Sequence, residues 1–389
     1  MRRCAVAAGV LAAVFLPARP CPAQPTAAVS GAAAMPDRTY RIAVASEGTD
    51  EISVITFGPG GASVQSKLSI GLSATDPDGP HGLATSPDRQ FYYVSTAHGT
   101  PYGSFWKVRA ADNVITGRVT LGNFPATAQV TPEGHLAFVV NFNLHGDMVP
   151  SDVSVVGVDD MVELTRIPTC TMPHGSRMNP QGTKHYSACM MDDMLVEIDV
   201  ATFAVSRHFV LTTGREAGMT GSPVRMDHGA THDMSGHGMA TPAAGDPGCS
   251  PTWAQPSADG SRIFVACNRS SDIVEIDAAT WTMVRRIPAG AGIYNMAVTR
   301  DGTTLIATNK RGQSVSIFAL PTGREVARLP TRRKVVHGAV VSPDDRYAFI
   351  SVEGIGSEPG TVEIIDLRTM RTVATVDVGQ MAGGIDVLM

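Results

Sequence analysis

The sequence lacks the features that mark several large functional classes. Only 6% of its 389 residues are aromatic, the formal net charge is −5, and no basic cluster exceeds Arg332–Lys334. Nucleic-acid-binding proteins usually carry a basic patch, so nucleic acid is not an expected partner. The chain also has no Cys-x-x-Cys-His haem motif, no Gly-x-Ser-x-Gly elbow and no glycine-rich phosphate loop. These absences argue against c-type haem binding and against the hydrolases and nucleotide-binding proteins that use such motifs.

Long apolar runs are absent as well. The run Cys4–Leu16 has thirteen residues and follows two arginines, whereas a membrane-spanning helix needs about 20. This pattern predicts a signal peptide over residues 1–23, and the Ala/Ser/Pro-rich residues 24–38 predict a disordered leader. An uncleaved membrane anchor and a lipid anchor on Cys21 are the alternatives. We therefore expect a bacterial protein that is periplasmic or secreted, with no membrane span in the mature chain.

Turn-forming residues are abundant, and they recur at a fixed period. The 39 glycines and 26 prolines favour many short strands over long helices. From Tyr40 onward, a unit of strand, Pro/Asp/Gly turn, strand, loop and strand repeats. Its turns fall at Pro87, Pro132, Pro180, Ala258, Arg300 and Pro343, in steps of 45, 48, 78, 42 and 43 residues. A period of about 44 with roughly four strands per unit is typical of a β-propeller blade.

Six turns indicate six blades, and the two chain ends supply a seventh. The final GGIDVLM matches the first strand of a blade, and YRIAVASEGTDEISVITF near the N-terminus matches the second and third. Joining them in one blade would close the ring and remove the exposed sheet edges. The sequence therefore predicts an all-β, seven-bladed β-propeller over residues 39–389, closed by pairing N- and C-terminal strands.

The repeats also resemble a known family. PHGLATSPDRQFYYVST at 80–96 and VHGAVVSPDDRYAFISV at 336–352, followed by third strands such as TVEIID, are similar to the YVTN family of seven-bladed propellers. The resemblance covers nearly all of the mature chain and implies its fold. It implies no single function, because such domains occur as lactonase-like enzymes, surface-layer proteins, haem-d1-type domains and binding scaffolds.

One step is much longer than the others and contains an insertion, residues 212–248, between the third and fourth blades. Thioether sulfurs suit Cu(I) and imidazoles suit both copper states. The insertion resembles the Met/His-rich segments of periplasmic copper-handling proteins, whose Met-Asp-His-x-x-Met element begins as residues 226–228 do here. It departs from that element at the second methionine, which comes only at Met234. The alternative is an ordinary solvated loop. The predicted ligands in this Met/His tract are Met226, His228, His232, Met234, His237 and Met239.

The repeat places further candidate ligands on one rim of the ring. In every blade the first strand begins at this rim and the second strand ends at it. If the hairpin between these strands is symmetric about its turn, His174 lies opposite Cys189. The insertion joins its blades on the same face, so soft ligands are expected to converge there. The predicted rim ligands are Cys170, Met172, His174, Cys189, His81 and His337.

The cysteines have a second interpretation. In an oxidising compartment they are expected to form disulfides, and Cys170 with Cys249, in equivalent loops of neighbouring blades, is the predicted bridge. Because thiols bind metals only as thiolates, complete disulfide formation would leave a site of histidine and methionine.

These observations predict an exported copper-binding propeller that acts in periplasmic copper handling. One alternative is a non-catalytic scaffold that binds a protein or another ligand on the channel face. Another is a copper-dependent oxidase of a small substrate, and lactonase-like hydrolysis is a further one. The sequence leaves the choice between an enzyme and a binding protein open.

Overall fold

The computed structural model describes residues 35–73, 75–98, 101–223 and 247–389. Their strands form seven antiparallel sheets, one for each blade of a β-propeller. Within the described ranges, no helix has the length and apolar character needed to cross a membrane. The predicted signal peptide, residues 24–34 of the predicted leader and the six ligands of the Met/His tract lie outside the described residues.

The strands are numbered along the chain and grouped by blade. The seventh blade contains β1 (Tyr40–Ser46), a 3₁₀ turn (Glu47–Thr49), β2 (Glu51–Gly58), β3 (Gly61–Ser69) and the last strand, β29 (Ala382–Val387). The first blade contains β4 (Pro80–Thr85), β5 (Phe91–Thr96), β6 (Ser104–Arg109) and β7 (Val114–Thr120). The second contains β8 (Pro125–Val130), β9 (Leu136–Asn141), β10 (Pro150–Gly157) and β11 (Val162–Thr171).

The third blade contains β12 (Pro173–Met178), β13 (Lys184–Cys189), β14 (Met194–Asp199), β15 (Ala204–Val210) and β16 (Ala217–Thr220). The fourth contains β17 (Pro251–Pro256), β18 (Arg262–Cys267), β19 (Asp272–Asp277) and β20 (Thr282–Pro288). The fifth contains β21 (Ile293–Val298), β22 (Thr304–Asn309), β23 (Ser314–Ala319) and β24 (Arg324–Pro330). The sixth contains β25 (Val335–Val341), β26 (Tyr347–Glu353), β27 (Thr361–Asp366) and β28 (Arg371–Asp377).

The ring closes as the sequence predicts. In the seventh blade the strand order is β29-β1-β2-β3, with Ile42 opposite Val387 and Val44 opposite Ile385. The last strand therefore pairs with the first, and the prediction of a closed seven-bladed propeller is confirmed. The third blade has an additional fifth strand, β16, which pairs with β15 and lies within the predicted insertion.

Burial explains the composition of the strands. Inner strands such as β22 are buried along almost their whole length, whereas outer strands such as β24 alternate between exposed and half-buried residues. Inner strands lie between neighbouring blades, so both of their faces need apolar side chains. Between the sixth and seventh blades, for example, Tyr40 and Phe57 pack against Tyr347 and Phe349 with ring centroids 5.0–6.3 Å apart.

A β-bulge changes the expected register of the first hairpins. Pro173, not His174, lies opposite Cys189, and the register shifts between Pro173 and Ser176. The first and sixth blades have the same irregularity around His81 and His337. The symmetric-hairpin prediction for His174 is therefore wrong, because a bulge inserts an extra residue and changes the direction of the side chains within it.

Candidate functional site

The four described cysteines form two disulfides, but not the predicted one. Cys170 bonds to Cys189 and Cys249 to Cys267, with Cα atoms 5.9 and 4.5 Å apart. Each bridge joins the segment before a blade's first strand to the end of its second strand, which the antiparallel hairpin places side by side. The predicted Cys170–Cys249 bridge is therefore wrong, and Cys170 and Cys189 offer no thiolate to a metal ion.

Three buried side chains from three consecutive blades meet on the rim that carries the bulges. Glu47 lies in the 3₁₀ turn of the seventh blade, His81 in β4 of the first and His337 in β25 of the sixth. Each offers one ligand atom, and these atoms all lie within 4.8 Å of one another. The ring centroids of His81 and His337 are 5.4 Å apart. The three groups are therefore close enough to share one metal ion.

A glycine makes room for this cluster. A Cβ atom at Gly383, in the closing strand β29, would lie 3.1 Å from Glu47 Oε1 and 3.7 Å from His337 Cε1. The first distance is shorter than about nine in ten real Cβ contacts, so any larger residue would press on the carboxylate. The absent side chain thus leaves the space that Glu47 and His337 face.

Glu47 is held by two histidines. His81 Nδ1 lies 2.7 Å from Oε1, and His98 Nε2 lies 3.1 Å from Oε2. Burial alone would raise the pKa of Glu47, but the electrostatic interaction with His81 and the hydrogen bonds to both rings outweigh it and hold that pKa well below its usual value. The hydrogen bond to Glu47 also raises the pKa of His98. Glu47 is thus an ionised carboxylate in a buried position.

His337 keeps a nitrogen free for a ligand. Its Nδ1 is buried and has no hydrogen-bond partner among the described residues. Burial, reinforced by the positive charge of Lys310, lowers the pKa of His337 well below its usual value. A neutral imidazole with an unused lone pair is the form that binds metals. The orphaned nitrogen therefore fits a metal ligand.

His174 lies beside the cluster, but its ring nitrogens have other partners. Nδ1 lies 2.9 Å from the carbonyl oxygen of Thr252, and Nε2 lies 2.9 Å from the Tyr294 hydroxyl. Burial lowers the pKa of His174 to about 3. The geometry describes a neutral ring that donates to Thr252 and accepts from Tyr294, so His174 supports the wall of the site instead of offering a free ligand atom.

A buried ion pair borders the same space. Lys310 Nζ lies 3.5 Å from Glu353 Oε1 and 4.3 Å from the centre of the Tyr294 ring. The Glu353 oxygen is in turn 3.8 Å from His337 Nε2. Burial would lower the pKa of Lys310, but the Glu353 carboxylate overcomes this and raises it. The rim therefore combines a carboxylate–histidine cluster with an adjacent fixed cation.

The remaining predicted rim ligand, Met172, packs elsewhere. It is 2% exposed and belongs to an apolar cluster with Met190, Phe124 and Phe142. The structure thus brings together His81 and His337 and places His174 next to them. It assigns the other three described candidates, Cys170, Cys189 and Met172, to disulfides or apolar packing.

Sequence reasoning missed Glu47, although a signal was present. Lys310 and Met190 directly follow the second strands of their blades, and Glu47 holds the same position after β1, the second strand of the seventh blade. The repeat could have placed Glu47 on this rim. The seventh blade is split between the chain ends and has no Pro-His-Gly segment, so the histidine motif that marks this rim in other blades is missing there.

Comparisons with known proteins support the fold. No protein-family model matches the sequence, and none of the curated proteins does, so membership of the YVTN family remains a prediction. The structure is similar to that of Kuenenia stuttgartiensis hydrazine synthase, with a TM-score of 0.60, 20% identity, and coverage of 82% of this chain and 92% of that chain. It is also similar to the periplasmic gluconolactonase of Pseudomonas aeruginosa, with a TM-score of 0.66, 17% identity, and coverage of 90% and 99%. At these identities the similarities establish a shared seven-bladed propeller fold.

Proposed function

We propose that this protein is an exported copper-binding propeller that handles copper in the periplasm and holds Cu(II) between Glu47, His81 and His337. The observation that carries the proposal is the convergence of these three buried groups, with one His337 nitrogen left without a partner. A buried, unsatisfied imidazole nitrogen is costly unless something binds it. A metal ion would satisfy it and would also compensate the buried Glu47 charge.

The donor set favours Cu(II) over Cu(I). Two imidazoles and one carboxylate are borderline and hard ligands, whereas Cu(I) prefers thiolates and thioethers. Among divalent first-row ions, a given nitrogen/oxygen site generally binds Cu²⁺ most tightly. The rim site thus differs from the soft-ligand site that the sequence suggests, and softer ligands remain predicted only in the Met/His tract.

Export and a handling role rest on different observations. Two disulfides are typical of proteins outside the cytoplasm, and the propeller fold is shared with a protein whose name places it in the periplasm. In the proposed function, the Met/His tract captures copper ions and the rim site retains one of them. A protein partner that receives or delivers copper would dock on the same channel face.

The experiment must separate the rim site from the tract. We would purify the mature chain, residues 24–389, and a variant without residues 224–246, remove metals, and titrate each with Cu(II) against a competing chelator. The rim site predicts one tightly bound ion in both proteins, with nitrogen hyperfine structure in the Cu(II) electron paramagnetic resonance spectrum. Loading with equimolar Cu(II) and Zn(II) should leave copper bound.

The variants His337→Ala and Glu47→Ala should lose this ion. His135→Ala is the matched control, because His135 is an exposed histidine that pairs with Asp159 on the surface. Wild-type affinity in both site variants would overturn the proposed ligands. Preferential retention of zinc would overturn the choice of copper, and failure to bind any metal would favour a non-catalytic scaffold.

A second candidate is copper-dependent oxidation at the same place. Three protein ligands leave at least one coordination position for a substrate, and the adjacent Lys310 could hold an anionic group. For a small thiol the reaction would be two thiols and one O₂ giving a disulfide and hydrogen peroxide. Oxygen consumption by copper-loaded wild-type protein, and its absence in His337→Ala, would support an oxidase over a binding protein.

A further inference from the structure

A second chamber lies along the axial channel, beyond the histidine rim. It has a volume of about 270 Å³ and is lined by the turn-proximal halves of the first strands of the blades. A much smaller space, about 30 Å³, lies between it and the rings of His81, His174 and His337. None of the three proposed metal ligands lines the larger chamber, so it is a separate site.

Arg177 is the central feature of this chamber. It lies in β12, lines both the chamber and the smaller space, and stacks on Trp253 with its guanidinium carbon 4.4 Å from the ring centre. Within the described residues its one hydrogen bond runs from Nη1 to the carbonyl oxygen of Ser176, at 2.9 Å. Burial lowers the pKa of Arg177 to about 10, which leaves the group cationic at neutral pH. Its Nε and Nη2 donors have no protein acceptor there.

The nearby carboxylate does not neutralise this cation directly. Asp386 also lines the chamber, but its oxygens accept hydrogen bonds from the backbone N–H groups of Thr85 and Val387, each at 2.8 Å. No ion pair joins it to Arg177 in the part of the chain that the structure describes. The Asp386 charge therefore acts on Arg177 only through space, and the Nε and Nη2 donors of the guanidinium fork remain available to a ligand.

The other polar groups of the wall include both hydrogen-bond donors and acceptors. Gln129 accepts a hydrogen bond from the N–H of Met178 through Oε1, which leaves its NH₂ group as a donor. Asp386 and Asp345 add carboxylate acceptors, and Arg300 stands exposed on the wall of the chamber. Such a wall can donate to a planar anion at one point and accept from hydroxyl groups elsewhere.

We propose that this chamber binds a small hydroxycarboxylate, with its carboxylate on Arg177 and its hydroxyl groups on the surrounding amide and carboxylate side chains. A guanidinium matches a carboxylate through two parallel hydrogen bonds, and stacking on Trp253 fixes the plane of the fork. Ligand pockets usually have volumes of about 300–1,000 Å³, so this chamber suits a compact organic acid. Phosphate shares the anionic chemistry, but it carries no polyhydroxyl chain for the rest of the wall.

The test uses the metal-free mature chain, so that its outcome is independent of copper binding. Gluconate is the probe, sorbitol is its counterpart without a carboxylate, and inorganic phosphate is the competing anion; binding is followed by calorimetry and ligand-observed NMR. We expect gluconate to bind, sorbitol to show no binding, and phosphate to bind at least about tenfold more weakly than gluconate. Charge-assisted hydrogen bonds of this kind correspond to about tenfold or more in affinity.

Variants identify the contact. Arg177→Met should weaken gluconate binding at least about tenfold, and Arg177→Lys should weaken it less, because lysine keeps the charge without the fork. Arg118→Met is the matched control, since Arg118 also lies over a tryptophan, Trp106, at 5.3 Å but away from the chamber. Val298→Phe should block binding by filling the chamber without changing Arg177.

Three outcomes would overturn the proposal. The first is wild-type gluconate affinity in Arg177→Met. The second is equal binding of sorbitol, and the third is phosphate binding as tight as that of gluconate. If Arg177→Met does not fold, Val298→Phe decides: unchanged gluconate binding in that variant would also refute the site. Loss of copper binding at the rim would leave each of these results interpretable, because the chamber shares no ligand with that centre.

Discussion

Replacing Gly383 with alanine tests the rim site with a single methyl group. The added Cβ would lie 3.1 Å from Glu47 Oε1, while its contacts to His337 would be ordinary ones of 3.7 and 3.8 Å. The carboxylate must therefore move by a few tenths of an ångström. Metal–ligand distances tolerate about ±0.2 Å, so the displacement is as large as the tolerance. We expect copper affinity to fall about tenfold, which corresponds to about 1.4 kcal/mol.

The same substitution should not destabilise the metal-free protein. Gly383 does not have a positive φ, so alanine fits its backbone. Glycine-to-alanine changes at compatible positions stabilise by about 0.4–1 kcal/mol, because the unfolded chain loses freedom. Lower copper affinity together with unchanged or higher stability in urea is the expected signature.

Two other glycines serve as controls for this experiment. At Gly60 a Cβ would meet nothing within 4 Å, so Gly60→Ala should leave copper affinity unchanged and show only the small stabilisation that comes from the unfolded chain. At Gly384, the neighbour of Gly383, a Cβ would lie 2.1 Å from the backbone oxygen of His81. Gly384→Ala should therefore lower the free energy of unfolding of the metal-free protein, which Gly383→Ala should not. Wild-type copper affinity in a folded Gly383→Ala protein would refute the assignment of Glu47 as a ligand.

Three further predictions concern stability and titration. Replacing the cysteines of either disulfide with serine should lower the free energy of unfolding in urea titrations by about 3 kcal/mol, the value for bridges that close loops of this length. The same variants should still bind copper at the rim site. Loss of copper binding would contradict the conclusion that the disulfides and the rim site are separate features. His185 is fully buried with both ring nitrogens unpartnered, and burial lowers its pKa to about 3. Its unfolded form takes up a proton near pH 6.5, so stability should be lost as pH falls from about 6.5 to 3; His185→Leu should reduce that loss, and an unchanged slope of stability against pH would contradict this account. The hydrogen bond from Lys184 lowers the pKa of Asp199 to about 2, so its contribution is present above pH 4 and lost toward pH 2; carboxyl NMR of Lys184→Met should show that pKa returning toward its usual value.

The fold could be predicted from sequence because the repeat encodes it redundantly. Each blade carries the same turn between two apolar strands, so one degenerate copy, such as the turn at Ala258, does not hide the period. Ring closure also followed from the sequence, since the final GGIDVLM supplies the strand type that the N-terminal segment lacks. These are local patterns summed over many residues, and they tolerate errors at single positions.

The site depended on single positions and was predicted less well. His81 and His337 are predicted ligands because they share a place in the repeat, and both lie in the cluster with Glu47. His174 has the same place in the repeat, but both of its ring nitrogens are bonded to neighbours. Only the three-dimensional packing distinguishes these cases. The disulfide prediction failed because it compared equivalent loops of different blades and overlooked the open end of each hairpin, where Cys170 meets Cys189.

Ring closure also determines at which stage of synthesis and folding the rim site can form. Glu47 is among the first residues of the propeller to be synthesised, but the strand that shapes its cavity, with Gly383, is among the last. A chain truncated before β29 therefore contains the ligand atoms without the strand that encloses them. Metal acquisition at this site would be a late event that follows complete synthesis and folding, and an occupied site would report that the ring had closed.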